Sequence, residues 1–565
     1  MPGIWRLAAL LVVATVSGAA HAGGGPQNLA LIVNPDDPDS LGIANYYIEL
    51  RRIPASNVVY LPWRVDAPVA TGRQFRDQLL KPLIAELKKR GLTEQIDFVA
   101  FSSGYPYLVD CAPLFKDQQF PPQARPATSL TSATFLYQYL LDGRADMFGF
   151  TANDYFAPTI GGVTTTRAFS EAQPAAGVGD AGAGAKKYLL ATALGITHGH
   201  GNTGKEITAC LRRAKQADGT KPRGTIYYMQ NNDVRSRARH DGFAAAVSEL
   251  AAIGVNAVVL SGVVPTNKSD VAGLTTGAAT VALKSSGSIL LPGALVDNLT
   301  SYGGKFTVQQ AGDPQTRISE YIRLGAAGAS GAVVEPHAIS LKFPSPALHV
   351  HYARGCSLAE AFYQSVAAPF HLLIIGDPLC QPWAVAPKVT VDGVSDAAPL
   401  SGVATFTATA TYPDARQASR FELYIDGVRN HAVGFAASMS LDTTKLADGW
   451  HEFRVIAVDN TPIAVQGAWI GQVQVKNGDG LLNLMLSEKR VAIGGNVVAE
   501  VSSTSQEDAQ ILQNGRVVGT ATGGTGRVEI EARLLGKGRT TLYAEQAGDS
   551  PLQSKTVAVE VFKGP

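Results

Sequence analysis

The chain has 565 residues, 45% of them hydrophobic, and its 48 basic side chains face 47 acidic ones. A chain of this length exceeds one hydrophobic core, so roughly two to four domains are expected. The charge balance excludes the strong field of a protein that binds nucleic acid or an anionic membrane, and the hydrophobic content excludes a disordered chain.

Residues 1–22 have the pattern of a secretory signal peptide. They combine a positive charge at Arg6, an apolar run over 7–16 and an A-x-A-type cleavage site at 20–22. The apolar run is shorter than the ~20 residues needed to cross a bilayer. We therefore predict an exported protein, either periplasmic or extracellular at the cell surface, with no transmembrane segment after signal cleavage.

The next region alternates short β-branched runs with amphipathic stretches. Strands are predicted at 28–34, 57–63, 96–104, 188–194, 224–230, 256–262, 287–293, 330–336 and 371–378. Helices are predicted at 40–53, 75–91, 206–215, 242–254, 317–326 and 357–366. Strands without polar alternation, separated by helices, indicate an α/β fold with a doubly wound, mostly parallel sheet. The Gly-, Ala- and Pro-rich stretch at 170–185 predicts an exposed loop.

The pattern changes to strands and turns in the last third of the chain. The dipeptides Asp426-Gly427 and Asn514-Gly515 each predict a hairpin turn. Two sandwich-sized units follow one another, joined by a linker at 477–480. The predicted domains are the signal peptide (1–22), the α/β domain (27–386) and two all-β immunoglobulin-like sandwiches (387–476 and 477–565).

Two motifs in the first sandwich carry a resemblance to a known module. These are Y-x-D-G, from Tyr424 to Gly427, and D-G-x-H, from Asp448 to His451. With them, the segment 421–460 resembles the bacterial immunoglobulin-like modules of secreted and surface proteins. The resemblance implies a β-sandwich and is silent on function.

Scattered motifs of the α/β region agree with a second family in order and spacing. They are Asn34, the segment 39–58, SSGYP (102–106), LPGALVDNLTSYGG (291–304), GASGAVVEP (328–336), GCSLAEAFYQSV (355–366) and IGDPLCQPW (375–383). With these the region resembles an uncharacterised family of exported bacterial proteins, some of which carry a PEP-CTERM-type sorting signal. The family implies no activity, and the residues at the C-terminus do not resemble such a signal.

A fold-level resemblance runs to caspase-like and gingipain-like cysteine peptidases. They share a parallel sheet with helices, and some carry Ig-like modules after it. The resemblance implies a His-Gly after one strand and a nucleophilic Cys after the next. His198-Gly199 and His200-Gly201 follow a predicted strand, but the later strand ends at 260–265 and 291–298 contain no Cys.

The segment from Gly199 to Lys205 matches most of the phosphate-binding P-loop pattern. Glu206 stands where that pattern requires Ser or Thr to hold magnesium, and its carboxylate would repel phosphate. We interpret Thr203 and Glu206 as a helix capping box. No cofactor is predicted.

His198, His200 and Cys356 are candidate catalytic residues. A loop histidine at the carboxyl edge of an α/β sheet can act as a general base if a thiol or hydroxyl lies beside it. Cys356 opens a predicted helix, where the pKa of a thiol is lowered. The alternatives for Cys356 are a disulfide, for example with Cys380, or a buried small residue. An exported chain with Cys111, Cys210, Cys356 and Cys380 permits two disulfides, and the spacing does not choose their pairing.

Carboxylates at several predicted strand ends form another group of candidate site residues. If they converge, they bind a metal or act as an acid/base pair, and Glu335 and Asp377 are the main candidates. The alternative is that both are helix or turn caps. An extended H-x-H segment would also place two imidazoles on one face, where they could bind a transition metal. The other residues considered are Asp37, Asp39, Asp297, His337, His349 and His351.

Two functions remain open from the sequence. In the first, the α/β domain binds an extracellular ligand, surface polymer or protein at the carboxyl edge of its sheet, and the sandwiches are spacers or adhesion modules. In the second, the protein is a secreted, peptidase-like hydrolase with a divergent active site. That hydrolase would use His198 or His200 with an unidentified nucleophile, or Glu335 and Asp377.

Overall fold

The computed structural model describes residues 23–169, 188–307, 315–394 and 398–564. The predicted signal peptide and the predicted loop at 170–185 lie outside the described residues. Within the described ranges, no helix combines the length and the apolar character that crossing a bilayer requires.

The first two thirds of the chain are mixed α/β. The strands are β1 (Leu29–Val33), β2 (Val58–Tyr60), β3 (Val69–Thr71), β4 (Phe98–Phe101), β5 (Leu108–Asp110), β6 (Ala127–Ser129), β7 (Thr159–Ile160), β8 (Val163–Thr164), β9 (Leu190–Ala193), β10 (Thr225–Gln230), β11 (Asn256–Ser261), β12 (Val271–Gly277), β13 (Leu290–Leu299), β14 (Gly328–Ala332) and β15 (Leu372–Gly376). The helices are α1 (Pro38–Arg51), α2 (Gly72–Phe75), α3 (Lys81–Lys89), α4 (Leu130–Phe135), α5 (Tyr137–Leu141), α6 (Gly204–Ala217), α7 (Val234–Arg237), α8 (Phe243–Ala252), α9 (Ile318–Arg323), α10 (Ala347–Ala353) and α11 (Leu358–Ser365).

Ten of these strands form one sheet, in the order β11-β10-β12-β13-β14-β15-β9-β4-β1-β2. The strands from β9 to β2 pair in parallel, and so do the strands from β11 to β14. Between the two groups, β15 runs antiparallel to β14. Its single pair with β9, Ile375 with Ala193, has the parallel pattern, but Asp377, which follows β15, contacts Arg51 at the end of α1, so β15 also runs against β9. The central strands are buried along their whole length, which explains why their sequences lack polar alternation.

The carboxyl ends of the two parallel groups share one edge of the sheet. Arg213, near the end of α6, donates to the carbonyl of Leu290 at the start of β13 (2.7 Å). At the other end, the amide of His200, after β9, donates to the carbonyl of Phe306, after β13 (3.0 Å). The loops that follow β9 and β13 therefore lie side by side.

The rest of the described chain is almost entirely β. Its strands are β16 (Lys388–Asp392), β17 (Val403–Thr411), β18 (Ala418–Ile425), β19 (Val428–Arg429), β20 (Ser438–Asp442), β21 (Asp448–Asp459), β22 (Gln466–Val475), β23 (Leu482–Leu486), β24 (Arg490–Ala492), β25 (Asn496–Ser503), β26 (Ala509–Gln513), β27 (Arg516–Ala521), β28 (Gly526–Glu531), β29 (Gly538–Gln546), β30 (Leu552–Gln553) and β31 (Val557–Phe562). One short α-helix, α12 (Ala532–Leu535), and a few single 3-10 turns accompany them. One apolar core lies within 389–473 and a second within 482–561.

The two sandwiches are joined by backbone pairing as well as by the chain at 477–480. β21 of the first pairs in parallel with β30 of the second, through Asp448 with Leu552 and Gly449 with Gln553. A side chain at Gly449 would place its Cβ 1.8 Å from the Gln553 carbonyl oxygen. The D-G-x-H motif therefore carries the glycine that allows the second sandwich to pair with the first.

Both predicted hairpin turns are present. Asp426-Gly427 links β18 to β19, and Asn514-Gly515 links β26 to β27. All four residues have φ between 48° and 83°, the conformation that two-residue hairpins favour. His451 of the D-G-x-H motif contacts the Asp426 carboxylate through Nδ1 (2.6 Å), so the two motifs of the resemblance are in direct contact.

The same two turns pack against the α/β unit, at the segment that comes just before β2. A Cβ at Gly427 would lie 2.2 Å from Ser56 Oγ, and one at Gly515 would lie 3.6 Å from the Ala55 carbonyl oxygen. Gln95 donates to the Gly427 carbonyl (2.6 Å) and accepts from the Arg429 amide (2.9 Å). Both sandwiches are thus packed against the α/β unit, an arrangement that differs from extended spacers.

Candidate functional site

The loop between β9 and α6 is held as a tight turn. Thr203 caps α6: its Oγ1 accepts from the Glu206 amide (3.3 Å), and the Glu206 carboxylate accepts from the Thr203 amide (3.0 Å). The interpretation as a capping box is confirmed. Glu206 also pairs with Arg323 (2.9 Å), so a carboxylate already occupies the position where a P-loop would bring phosphate.

His198 faces the loop that follows β4. Its Nε2 lies 3.1 Å from the carbonyl oxygen of Tyr105. Because a carbonyl only accepts, Nε2 carries the proton and Nδ1 is the acceptor of a neutral ring. Burial lowers the pKa of His198, partly opposed by the Tyr105 carbonyl and the charge of Asp37. The ring is therefore neutral at neutral pH.

Asp37 and Ser103 lie at the same carboxyl edge of the sheet as His198, since they follow β1 and β4. Asp37 caps α1 by accepting from the Asp39 amide (3.0 Å), and it accepts from the Ser103 hydroxyl (3.2 Å). Burial raises the pKa of Asp37. Gly104 permits the approach, because a Cβ there would lie 2.3 Å from the Asp37 carboxylate. The Ser103 hydroxyl thus donates its proton to a carboxylate and not to an imidazole.

Ser103 is a residue of this edge that sequence reasoning left without a role. Its signal was its position in the S-S-G that follows β4, since β4 is the neighbour of the strand that precedes His198. The sequence does not show which strands are neighbours, so it directs attention to 260–265 and 291–298 for a partner instead. Residues 291–298 are not a strand end at all, because β13 continues to Leu299.

His200 lies on the wall of a cavity of about 710 Å³, here called the edge cavity. Its amide donates to the Phe306 carbonyl (3.0 Å) and its carbonyl accepts from Ser319 Oγ (2.6 Å), while the residue as a whole is exposed. Ionic and polar side chains dominate the remaining wall. They include Lys284, Gln315, Thr316, Arg317, Ser319, Glu320 and Arg323.

The structure does not bring Glu335 and Asp377 together. Asp377 follows Gly376, which pairs with Gly328 at the start of β14, whereas Glu335 comes after the end of β14. The five residues of β14 span about 13 Å, so the two carboxylates lie at opposite edges. The predicted acid/base pair is therefore wrong, because β15 runs against its neighbour.

Asp377 is instead the centre of a buried network. It accepts hydrogen bonds from Tyr47 Oη (2.8 Å), Arg51 Nε (2.8 Å) and the Leu379 amide (3.1 Å). Arg51 also pairs with Asp218. This cluster joins the ends of α1 and α6 at the amino edge of the sheet, away from the two histidines.

The other predicted carboxylates are also engaged locally. Glu335 accepts from the amide of His337 (2.8 Å), as the cap alternative expected. Asp297 lies within β13, fully buried, where it pairs with Arg239 and accepts from Ser330 Oγ (2.5 Å). The prediction that Asp297 follows a strand is wrong.

The H-x-H segment is helical, which corrects the extended conformation expected from the sequence. His349 and His351 lie on α10, where positions two apart point in different directions. His349 contacts Thr275 (3.1 Å) and His351 contacts Thr166 (3.0 Å). Burial lowers the pKa of each imidazole to about 3. Across the described ranges, no group of three or more His, Cys, Asp or Glu residues is placed to hold a metal ion.

The four cysteines are free and buried, so neither of the two disulfides that the sequence permits is formed. Cys356 precedes the helix cap Ser357 and accepts a hydrogen bond from Gln364 Nε2 (3.3 Å). Burial raises the pKa of Cys356 well above its usual value, which reverses the effect predicted for the start of a helix. Cys356 is therefore a buried small residue, the other alternative left open by the sequence.

We expect none of the four thiols to react with iodoacetamide at pH 7.5 in the folded protein, and all four to react in 6 M guanidinium chloride. The reason is that thiolate formation is suppressed by burial. Intact-mass measurement before and after unfolding, without reductant, counts the alkylated sites. Two fewer adducts after unfolding would reveal a disulfide and contradict this arrangement.

No protein-family model and no curated protein matches the chain. Among solved structures, the fibronectin(III)-like modules of CbhA from Clostridium thermocellum are 17% identical, covering 31% of this chain and 93% of that one, with a TM-score of 0.13. SGBP-B of the Bacteroides ovatus mixed-linkage glucan utilization locus, in complex with a heptasaccharide, is 16% identical, covering 32% and 46%, with a TM-score of 0.20. A Ca²⁺-stabilised adhesin with which an Antarctic bacterium binds ice is 15% identical, covering 32% and 50%, with a TM-score of 0.13.

These solved structures are fibronectin-III-like and other immunoglobulin-like modules. The C-terminal part consists of β-sandwich modules. The chain spans half or less of the glycan-binding protein and the adhesin, and none of the three similarities extends to most of this chain. The caspase-like and PEP-CTERM-type resemblances of the α/β region gain no support from these comparisons and stay predictions.

Proposed function

We propose that the protein is exported and binds an acidic extracellular oligosaccharide or surface polymer in the edge cavity. The observation that carries the proposal is a cavity of about 710 Å³ at the carboxyl edge, walled by Gly199, His200 and Gly201 and by cationic side chains. Its volume falls within the roughly 300–1,000 Å³ of ligand sites. The carboxyl edge is also where open α/β sheets place their ligands.

The charges in the wall favour an anionic ligand. Lys284, Arg317 and Arg323 are cationic, and the wall's carboxylate is Glu320. Arg323 is partly neutralised by Glu320 (2.5 Å) and by Glu206 (2.9 Å). Lys284 is exposed, which leaves its ammonium accessible to a ligand. Guanidinium and ammonium groups form their strongest hydrogen bonds with carboxylates.

The hydrolase alternative lacks a contact that its chemistry requires. A nucleophile must lie within hydrogen-bond reach of the base. Among the described residues, no hydroxyl or thiol hydrogen-bonds to the ring of His198 or His200, and Ser103 donates to Asp37. The proposal therefore assigns binding, and not bond cleavage, to this edge.

Isothermal titration with galacturonate oligomers tests the proposal, with cello-oligosaccharides of the same length as the neutral control. We expect binding of the acidic oligomer alone, and an affinity about tenfold weaker in Lys284→Ala, which corresponds to ~1.4 kcal/mol for one charged contact. Lys268→Ala, at an exposed lysine outside the edge cavity, is the matched control and should bind as the parent protein does. Equal affinity for both sugars, or equal loss in both variants, would refute the proposal.

A further inference from the structure

A second cavity, of about 590 Å³, lies where α1 meets both sandwiches and is here called the junction cavity. Its wall includes Glu49 of α1 and Arg52, which follows α1, Glu452 and Arg454 from β21, and Arg539 from β29. A group bound in it would contact the α/β unit and both sandwiches at once. The junction cavity shares no wall residue with the edge cavity.

Arg454 places a buried, unmatched donor beside the junction cavity. This arginine is 1% exposed, the largest side chain among those that are fully buried. Its Nε donates to Glu452 (2.6 Å), whereas its Nη1 has no hydrogen-bond partner among the described residues. A buried charged donor without an acceptor costs free energy. Because Arg454 forms part of the wall, an anion in the junction cavity would lie beside this buried positive charge.

The charges of the wall indicate what kind of acceptor fits. Each glutamate already has an arginine partner, since Glu452 pairs with Arg454 and Glu49 pairs with Arg539 (3.2 Å). Arg52 adds a third guanidinium at the same wall. The wall thus carries more positive than negative charge, and guanidinium groups bind planar or tetrahedral oxyanions through two parallel hydrogen bonds.

We propose that the junction cavity is a binding site for a compact oxyanion, with the exposed Arg52 and Arg539 as its ligands and the buried Arg454 as a fixed positive charge behind them. The chemistry is common to sulfate, phosphate and the carboxylate of an acidic sugar. Binding stabilises the folded assembly, because a ligand that binds only the folded state raises its melting temperature. This site is independent of the function proposed for the edge cavity.

Thermal unfolding of the full chain tests the site at constant ionic strength, with sodium chloride replaced stepwise by sulfate, phosphate or glucuronate. We expect at least one anion to raise Tm along a saturating curve, and the anion that saturates at the lowest concentration identifies the source. Arg539→Gln should lose most of the saturating shift. The matched control is Arg490→Gln, since Arg490 is 66% exposed against 62% for Arg539 and also pairs with one glutamate.

The general stabilisation that sulfate gives by exclusion from protein surfaces grows without saturation, and the control variant measures it. A rise in Tm that is linear in anion concentration, or that is equal in Arg539→Gln and Arg490→Gln, would overturn the proposal. Arg52→Gln gives a second reading at an exposed position, and it should also lose the saturating shift. Substitution of the edge-cavity residue Lys284 should leave the shift unchanged.

Discussion

Arg51→Met is expected to lower the free energy of unfolding by about 3–5 kcal/mol at pH 7.5. The Arg51 side chain is 4% exposed and its partner Asp377 is 0% exposed. Removal of the guanidinium leaves the Asp377 carboxylate with only Tyr47 Oη and the Leu379 amide, an incomplete compensation for a buried charge. Urea unfolding followed by tryptophan fluorescence measures the change.

The loss should depend on pH in a defined direction. Burial raises the pKa of Asp377 in the folded protein above the unfolded value of 3.8, and removal of Arg51 raises it further. The penalty is therefore complete at pH values above the folded pKa of Asp377 in the variant, and it fades as the pH falls from there to the lower folded pKa of Asp377 in the parent protein. Lys215→Met is the control, because Lys215 is 45% exposed and its pair with Asp218 (3.2 Å) is near the surface. We expect it to cost less than about 1 kcal/mol, and an equal cost in the two variants would contradict a buried network.

Arg239→Met is expected to cost about 3–5 kcal/mol for the same reason at a different place. Arg239 joins Asp297 of β13 to the carbonyls of Pro344 (3.0 Å) and Thr276, and both ionic side chains are buried. Arg235→Met, which removes a half-exposed pair with Asp233, should cost less than about 1 kcal/mol. Denaturation midpoints of the two variants give the comparison.

A double substitution makes this prediction sharper. Arg239→Met combined with Asp297→Leu replaces both charges by apolar groups, which is often close to neutral for a buried pair. The double variant should therefore be more stable than the sum of the two single losses predicts, by at least about 1 kcal/mol. Additive losses would show that the two residues do not act as a pair.

Local features of the fold could be predicted from the sequence because they rest on a few adjacent residues. The turns at Asp426-Gly427 and Asn514-Gly515 need positive φ, which Gly, Asn and Asp tolerate. The capping box of Thr203 and Glu206 needs only a hydroxyl and a carboxylate three residues apart. In each case the chemistry that forms the feature is contained in the motif itself.

Strands that depend on packing were harder to predict. β12, Val271–Gly277, has the sequence VAGLTTG and was missed, because Ala, Gly and Leu interrupt its β-branched residues. β14, GASGA, is made of small residues because other backbone lies against it. A Cβ at Gly331 would be 2.7 Å from the backbone of Gly303 and Gly304. Such a strand is specified by its neighbours and leaves little local signal.

The candidate site was predictable only in part for a related reason. Placement of His198 and His200 near a sheet edge follows from the strand before them. Asp377 also follows a strand, but the antiparallel direction of β15 puts it at the other edge. Strand direction and strand neighbours arise from the whole topology, so neither the partner Ser103 nor the separation of Asp377 from Glu335 could be read from spacing.

The backbone pairing of Gly449 with Gln553 also bears on how the molecule would respond to mechanical load. Tension applied near the C-terminus would reach the first sandwich by two routes. One is the covalent chain, and the other is the set of backbone hydrogen bonds between β21 and β30, which would share the load. The two hairpin turns of the sandwiches, which pack against the α/β unit, would also resist bending between that unit and the sandwiches. We expect the protein to behave under force as one stiff body, unlike a chain of domains that are joined by flexible linkers.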